Sequence, residues 1–296
     1  MLSKGGCTMS GMIRAADGEP LNALSVDVED WYQAITSLNR RPELWSRYEP
    51  RVLENTRRIL AILEEFDTRA TFFVLGKVAK DFPELVCDID AAGHEIAVHG
   101  YSHKKIHNIT RDEFALELER ATDILTPLSS GEIIGHRAPY FSINQRNQWA
   151  LDVLEELGFR YDSSYFPTRN ILYGYPDAPR YPHVLEGRDL YEFPLSTVTR
   201  GGFTWPVAGG FYLRLFPYSI IRHGIRRIHR QGQPAVMYFH PWEIDVEHRH
   251  HRVTLREWIV QYTGRHRFER RLRNLLTEFK FGPIRDLLQA MESPTS

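Results

Sequence analysis

The chain has 296 residues, 42% apolar and 25% charged, an ordinary globular balance with enough apolar content for a sizeable core. Lysine and arginine number 37 against 38 acidic residues, so no global charge favours nucleic acid or an anionic surface as partner. Only Cys7 and Cys87 are present, which argues against a disulfide framework and a thiolate metal centre; any metal chemistry rests on histidine and carboxylate. Residues 1–20, "MLSKGGCTMSGMIRAADGEP", lack the apolar segment of a secretory signal and read as a disordered leader. No run approaches a membrane span, and a soluble cytoplasmic protein is expected.

The first strand is expected at Ala23–Val28, followed by a helix over "VLENTRRILAILEEF". Further strands follow at Ala70–Leu75, His94–His99, Glu132–Arg137, Phe159–Asp162, Leu190–Ser196 and Ala235–His240. Between them, "DEFALELERATDIL" and "NQWALDVLEELGF" have helical spacing, with start signals at Thr110 and Asn144. Tyr165–Arg188 reads as a long loop, and "GGFTWPVAGGFYLRLFP" as a glycine-rich loop lining a cleft. Two amphipathic helices, "RRLRNLLTEF" and "IRDLLQAM", end the chain. Alternating strands and helices predict parallel βα units, and no glycine-rich phosphate loop follows the first strand, which weighs against a dinucleotide-binding sheet. The expected organisation is a leader (1–20), an α/β domain (21–245) and a basic helical extension (246–296).

The informative residues are polar ones at strand ends. Asp27, Glu29 and Asp30 close the first strand, His99 and His103 the third, Arg137 the fourth and His240 the last. In parallel βα folds these ends share one rim, where sites are built. Two imidazoles four apart across Gly100, with one carboxylate from the first strand, form a common ligand set for Zn²⁺, while Co²⁺ or Ni²⁺ suits the same donors. The run "EHRHHR" (247–252) reads as a solvated cationic loop instead.

In order along the chain, "SVDVEDW", "HGYSH", "RAPYF" and "YFHP" resemble the motifs of the polysaccharide deacetylase family, carbohydrate esterase family 4, with its NodB homology domain. The resemblance implies a distorted (β/α) barrel of about seven or eight units and metal-dependent removal of acetyl groups. It implies Asp27 as general base, His99 and His103 as metal ligands, Arg137 as the residue orienting the base and His240 as general acid. Tyr140 takes the position whose backbone N–H faces the developing oxyanion. The family's first motif has adjacent aspartates, whereas this chain reads Asp27, Val28, Glu29, Asp30, and the metal carboxylate stays open between Glu29 and Asp30. Glu29 shares a strand face with Asp27; Asp30 reaches the ion only if the chain turns after Val28.

"SVDVEDW", "HPWEID" and the basic C-terminus further resemble the subgroup of exosortase-type exopolysaccharide loci, which implies an N-acetylated polysaccharide or lipid-linked glycan precursor as substrate. The alternatives are a peptidoglycan sugar or small cyclic amide as substrate, or an inactive glycan-binding module. A protonated His240 calls for a carboxylate partner, Asp162 or Glu243. Trp31, Trp205, Tyr140, Tyr165, Phe211 and Trp242 are candidate cleft aromatics, and Arg270, Arg271 and Arg273 a candidate face toward a membrane or phosphorylated carrier.

Overall fold

Strand β1 (Leu21–Val28) is buried from Asn22 onward, the continuous burial of a parallel strand covered on both faces. The computed structural model describes residues 12–15, 17–34, 36–169, 174–248 and 253–293. Its remaining strands are β2 (Thr71–Val74), β3 (Glu95–Val98), β4 (Gly135–His136), β5 (Tyr161–Asp162), β6 (His183–Val184), β7 (Tyr191–Glu192), β8 (Thr197–Arg200), β9 (Phe203–Pro206), β10 (Val236–Phe239) and β11 (Lys280–Gly282).

The main sheet runs β10-β1-β2-β3-β4-β5-β7-β6, parallel throughout except for the antiparallel edge strand β6. After β7 the chain turns back onto β10, where Ser196 N–H donates to Val236 O at 3.1 Å and Val236 N–H to Ser196 Oγ at 2.8 Å. The expected distorted barrel is therefore a strongly curled α/β sheet. Every strand expected from the sequence is present, although β4, β5 and β7 keep only two residues each in ladder pairing.

The helices Val52–Glu65, Arg111–Leu125 and Trp149–Glu156 occupy the anticipated segments. Thr110 forms a complete capping box with Glu113. Asn144 instead caps the turn before the third helix, accepting from Arg146 N–H. "GGFTWPVAGGFYLRLFP" is not a simple loop: it holds β9, which pairs antiparallel with β8, and the helix Gly210–Leu215. The helices Tyr218–His229 and Leu255–Tyr262 were also not anticipated.

The C-terminal segment folds back into the sheet, since β11 pairs in parallel with the first three residues of β1. Of the leader, residues 1–11, Cys7 among them, lie outside the described residues, whereas Ile13 is buried and accepts Leu21 N–H. Among the described residues no helix is long and apolar enough to cross a membrane.

His94 directly precedes β3, at the opposite end of that strand from His99, with its ring against Phe72 and its Nδ1 accepting Ala70 N–H at 3.2 Å. Burial, assisted by Arg69, lowers it from 6.5 to about 4. The unfolded chain therefore binds a proton first as pH falls. The stability from neutral His94 is complete above about 6.5 and is lost progressively between 6.5 and 4, at most about 3 kcal/mol. Urea unfolding near pH 7.5 and near pH 5 should show a smaller acid loss in His94→Gln, whose amide oxygen can still accept; equal losses in both proteins would refute the assignment.

Candidate active site

Period-two geometry along β1 points Ser25 and Asp27 into the barrel, and Glu29 continues the series past the strand end. Arg137, fully buried, meets them from β4: its Nη1 donates to Asp27 Oδ1 at 2.6 Å and to Ser25 Oγ at 2.8 Å. Its Nε and Nη2 donate to Ser163 O and Oγ at 2.9 and 2.7 Å, and its guanidinium lies 4.1 Å from the Phe73 ring centroid. The Arg137 carbonyl accepts from His99 Nδ1 at 2.8 Å. A carbonyl can only accept, so Nδ1 carries the proton and Nε2 keeps its lone pair.

Gly100 takes φ +73°, and His103 itself is left-handed at φ 57°. This turn brings the two imidazoles to 5.3 Å between ring centroids. One donor atom each from Glu29, His99 and His103 lie within 4.8 Å of one another, all three residues buried. Glu29 Oε2 is 2.6 Å from His103 Nε2, while His103 Nδ1 is buried without a partner. Burial favours neutral Glu29, yet His103 and His240 outweigh it and hold the carboxyl at about 2. Burial holds His99 at about 4, hence neutral, despite Asp27 nearby. An ionised carboxylate, a neutral imidazole with a free lone pair and an orphaned buried nitrogen fit a divalent first-row ion.

Asp30 does not join this group. Its Oδ1 accepts Trp31 N–H at 2.8 Å, and its Oδ2 accepts the N–H groups of Arg51 and Val52 at 2.8 and 3.2 Å, so it serves the start of the helix Val52–Glu65. Burial raises its pKa to about 7. The chain does turn after Val28, but it turns Asp30 away from the histidines.

His240 closes the other side, with Nε2 3.5 Å from Glu29 Oε1 and 4.0 Å from Asp27 Oδ2. Its Nδ1 is 2.9 Å from Glu243 Oε1, and Glu243 Oε2 accepts Arg214 Nε at 2.6 Å. Burial works against a charged His240, but Glu29, Glu243 and Asp27 raise its pKa overall. Burial likewise opposes ionised Glu243, and Arg214 and His240 overcome it. Asp162, the other anticipated partner, pairs with His136 at 2.8 Å instead. Arg214 went unnoticed in the sequence, inside a segment without a motif. Gly210 leaves room for Glu243, since a Cβ there would lie 2.0 Å from Oε1.

Tyr140 and Phe141 are both left-handed, at φ 57° and 50°, a strained arrangement that turns the chain over the rim. The Tyr140 ring lies tilted against His103 at 4.6 Å between centroids, and its hydroxyl donates to Gln33 O at 3.0 Å. Asp27, Glu29, His99, His103, Tyr140 and His240 line one cavity of ≈ 90 Å³, together with Phe211 and Trp242.

Trp31 does not line this cavity but belongs to a buried cluster with Tyr32, Trp45 and Trp242, the last of which does; Tyr165 borders a different cavity, and Trp205 lines the neighbouring groove. In the expected cationic loop, the His248 ring lies tilted against Trp31 at 4.3 Å between centroids, and residues 249–252 lie outside the described residues. Arg271 is buried, donating to the carbonyls of Leu213 and Arg214, and Arg273 pairs with Glu65 and Glu269. Two of the three arginines read as an outward face are thus engaged within the fold.

Residues 45–161 match the family described as polysaccharide deacetylase, and residues 163–289 match a domain of unknown function, DUF3473. A peptidoglycan-N-acetylglucosamine deacetylase of Bacillus cereus is 31% identical over 132 residues, 40% of this chain and 47% of the relative. A chitooligosaccharide deacetylase of Sinorhizobium fredii is 37% identical over 102 residues, 33% of this chain and 44% of the relative. The chain thus spans less than half the length of these curated relatives. A solved Mycobacterium smegmatis structure, assigned as a polysaccharide deacetylase, superposes with a TM-score of 0.62 at 21% identity, covering 98% of this chain and 97% of that one. The matched segment begins after Asp27 and Glu29 and ends before His240, so the constellation is completed by residues on either side of it. Motif order and the match over residues 45–161 both liken the chain to the polysaccharide deacetylase family, carbohydrate esterase family 4, and the curled sheet shares the fold of the superposed structure.

Proposed function

We propose that the protein is a metal-dependent hydrolase that removes N-acetyl groups from amino sugars of a polysaccharide. The observation that carries this reading is the buried Glu29–His99–His103 group, flanked by the Asp27–Arg137 couple on one side and the His240–Glu243 couple on the other. A binding module needs neither couple. The names of the matched relatives, deacetylases of peptidoglycan and of chitooligosaccharides, support the amino-sugar class.

Amide hydrolysis needs an activated nucleophile, a stabilised oxyanion and a protonated leaving group. A divalent ion held by Glu29, His99 and His103, Zn²⁺ by donor type, supplies a more acidic water and a Lewis acid for the acetyl carbonyl. Asp27, fixed by Arg137, takes the proton from the attacking water. The main-chain N–H of Tyr140 is a preorganised donor for the oxyanion, an interaction of a few kcal/mol. His240, whose pKa Glu29, Glu243 and Asp27 raise against the effect of burial and whose Nδ1 is held by Glu243, gives its Nε2 proton to the departing amine. The resemblance to the exopolysaccharide-locus subgroup supports an exopolysaccharide or its lipid-linked precursor as substrate, processed in the cytoplasm or at the inner membrane surface.

Two measurements test this reading. Equilibrium dialysis with Zn²⁺ or Co²⁺ should show affinity lowered by at least about tenfold in Glu29→Gln and His99→Ala, whereas Asp30→Asn keeps the ion and loses about 1–3 kcal/mol of stability. Loss of the ion in Asp30→Asn with retention in Glu29→Gln would reverse the ligand assignment. Acetate release from N-acetylglucosamine oligomers should fall by about 10²-fold or more in Asp27→Asn and His240→Gln, and on chelation in the unaltered protein. Release that persists through all three treatments would refute the mechanism.

A further inference from the structure

The catalytic cavity does not end the cleft. It shares Phe211 and Val260 with a groove of ≈ 1070 Å³ bordered by the β8–β9 hairpin and the helix Leu255–Tyr262. Phe203 at the hairpin tip and Leu255 on the helix are 73% and 74% exposed, and both line this groove. Trp205, another of its walls, also borders a second cavity of ≈ 540 Å³ between the hairpin and the helix Tyr218–His229.

The second cavity has a distinct chemistry. Its charged and titratable lining is Arg200, His223, Arg227 and Arg230, without a carboxylate. His223, Arg227 and the C-cap residue Arg230 fall at i, i+4 and i+7, one stripe along the helix and its cap, and Arg200 lies opposite them on β8. Arg222 and Arg226 of the same helix pair with Glu278, but among the described residues Arg200, Arg227 and Arg230 have no carboxylate partner. Guanidinium groups in a recess walled by an indole are suited to carboxylates on a chain that can enter it.

We infer that the groove and the arginine cavity form an extended site for an acid-bearing glycan, one whose N-acetyl sugar occupies the catalytic cavity while carboxylates of neighbouring units contact Arg200, Arg227 and Arg230. This inference rests on the deacetylase reading and narrows its substrate class from amino-sugar polymers to anionic ones. Continuity of the groove with the catalytic cavity and charge complementarity both argue for a polymer over a bilayer. The aromatic walls supply apolar surface for sugar C–H faces.

Calorimetric titration of the full chain with a hyaluronan octasaccharide, which alternates glucuronate with N-acetylglucosamine, and with a neutral chitin hexamer tests the site. The hyaluronan fragment should bind about tenfold more tightly, with a preference that falls as salt rises. Arg227→Gln/Arg230→Gln, a change of two exposed side chains, should abolish the preference and leave both chitin affinity and acetate release from chitin unchanged. Equal affinity for the two oligomers, or a preference that survives the double substitution, would overturn the inference. So would binding to phosphatidylglycerol vesicles that the double substitution abolishes, with no preference between oligomers. Preferential hyaluronan binding without acetate release from either oligomer would uphold the groove and defeat the deacetylase reading; release from chitin without preference would do the reverse.

Discussion

The buried Arg137 side chain is the interaction on which the rim depends. Its charge is fully removed from water, and one guanidinium joins Ser25 and Asp27 of β1 to Ser163 after β5 while stacking on Phe73 of β2. Ser163 passes the connection to Phe193 O beyond β7, and the Arg137 carbonyl orients His99 after β3. Removing one member of such a network leaves an uncompensated buried charge, a loss of several kcal/mol, so Asp27 cannot shift independently of the strands that carry the imidazoles. The same contact that positions Asp27 therefore helps to define the curl of the barrel.

A second buried chain, Arg214–Glu243–His240, holds the opposite wall, and its parts come from the C-terminal half. Arg214 also donates to the carbonyls of Val260 and Thr263, while Arg271 donates to the Arg214 carbonyl. The region matched to DUF3473 is thus no appendage to a finished catalytic domain. It contributes His240, the carboxylate and guanidinium that fix it, and most walls of the groove beyond.

Strand placement was legible because apolar runs ending abruptly in Asp, His or Arg are costly unless those ends meet something. The Glu29 and Asp30 ambiguity was not legible, because one turn decides it: Asp30 is captured by the free N–H groups of Arg51 and Val52, contacts set by tertiary packing and invisible to spacing. The β8–β9 hairpin was hidden by glycines that signal turns as readily as loops; Gly201 and Gly202, at φ +58° and +78°, are the hairpin turn itself. Arg214 looked like one more cation in an apolar stretch, and only burial reveals its partner. The basic C-terminal helix misled for the converse reason, since charge in sequence does not tell whether Arg273 meets solvent or Glu65.

Strand β1 is made early but finds its partners late. It pairs with β2 about fifty residues on, whereas β10 and β11 follow only after residues 236 and 280 have been synthesised. During translation it must wait with backbone groups unpaired and with Asp27 and Glu29 lacking His240, a long-range closure of the kind that slows folding and exposes an edge. A ribosome that stops short of β11 would release a chain whose hub strand is still open. Growth of the polypeptide thus delays completion of β1 until β11 has been made.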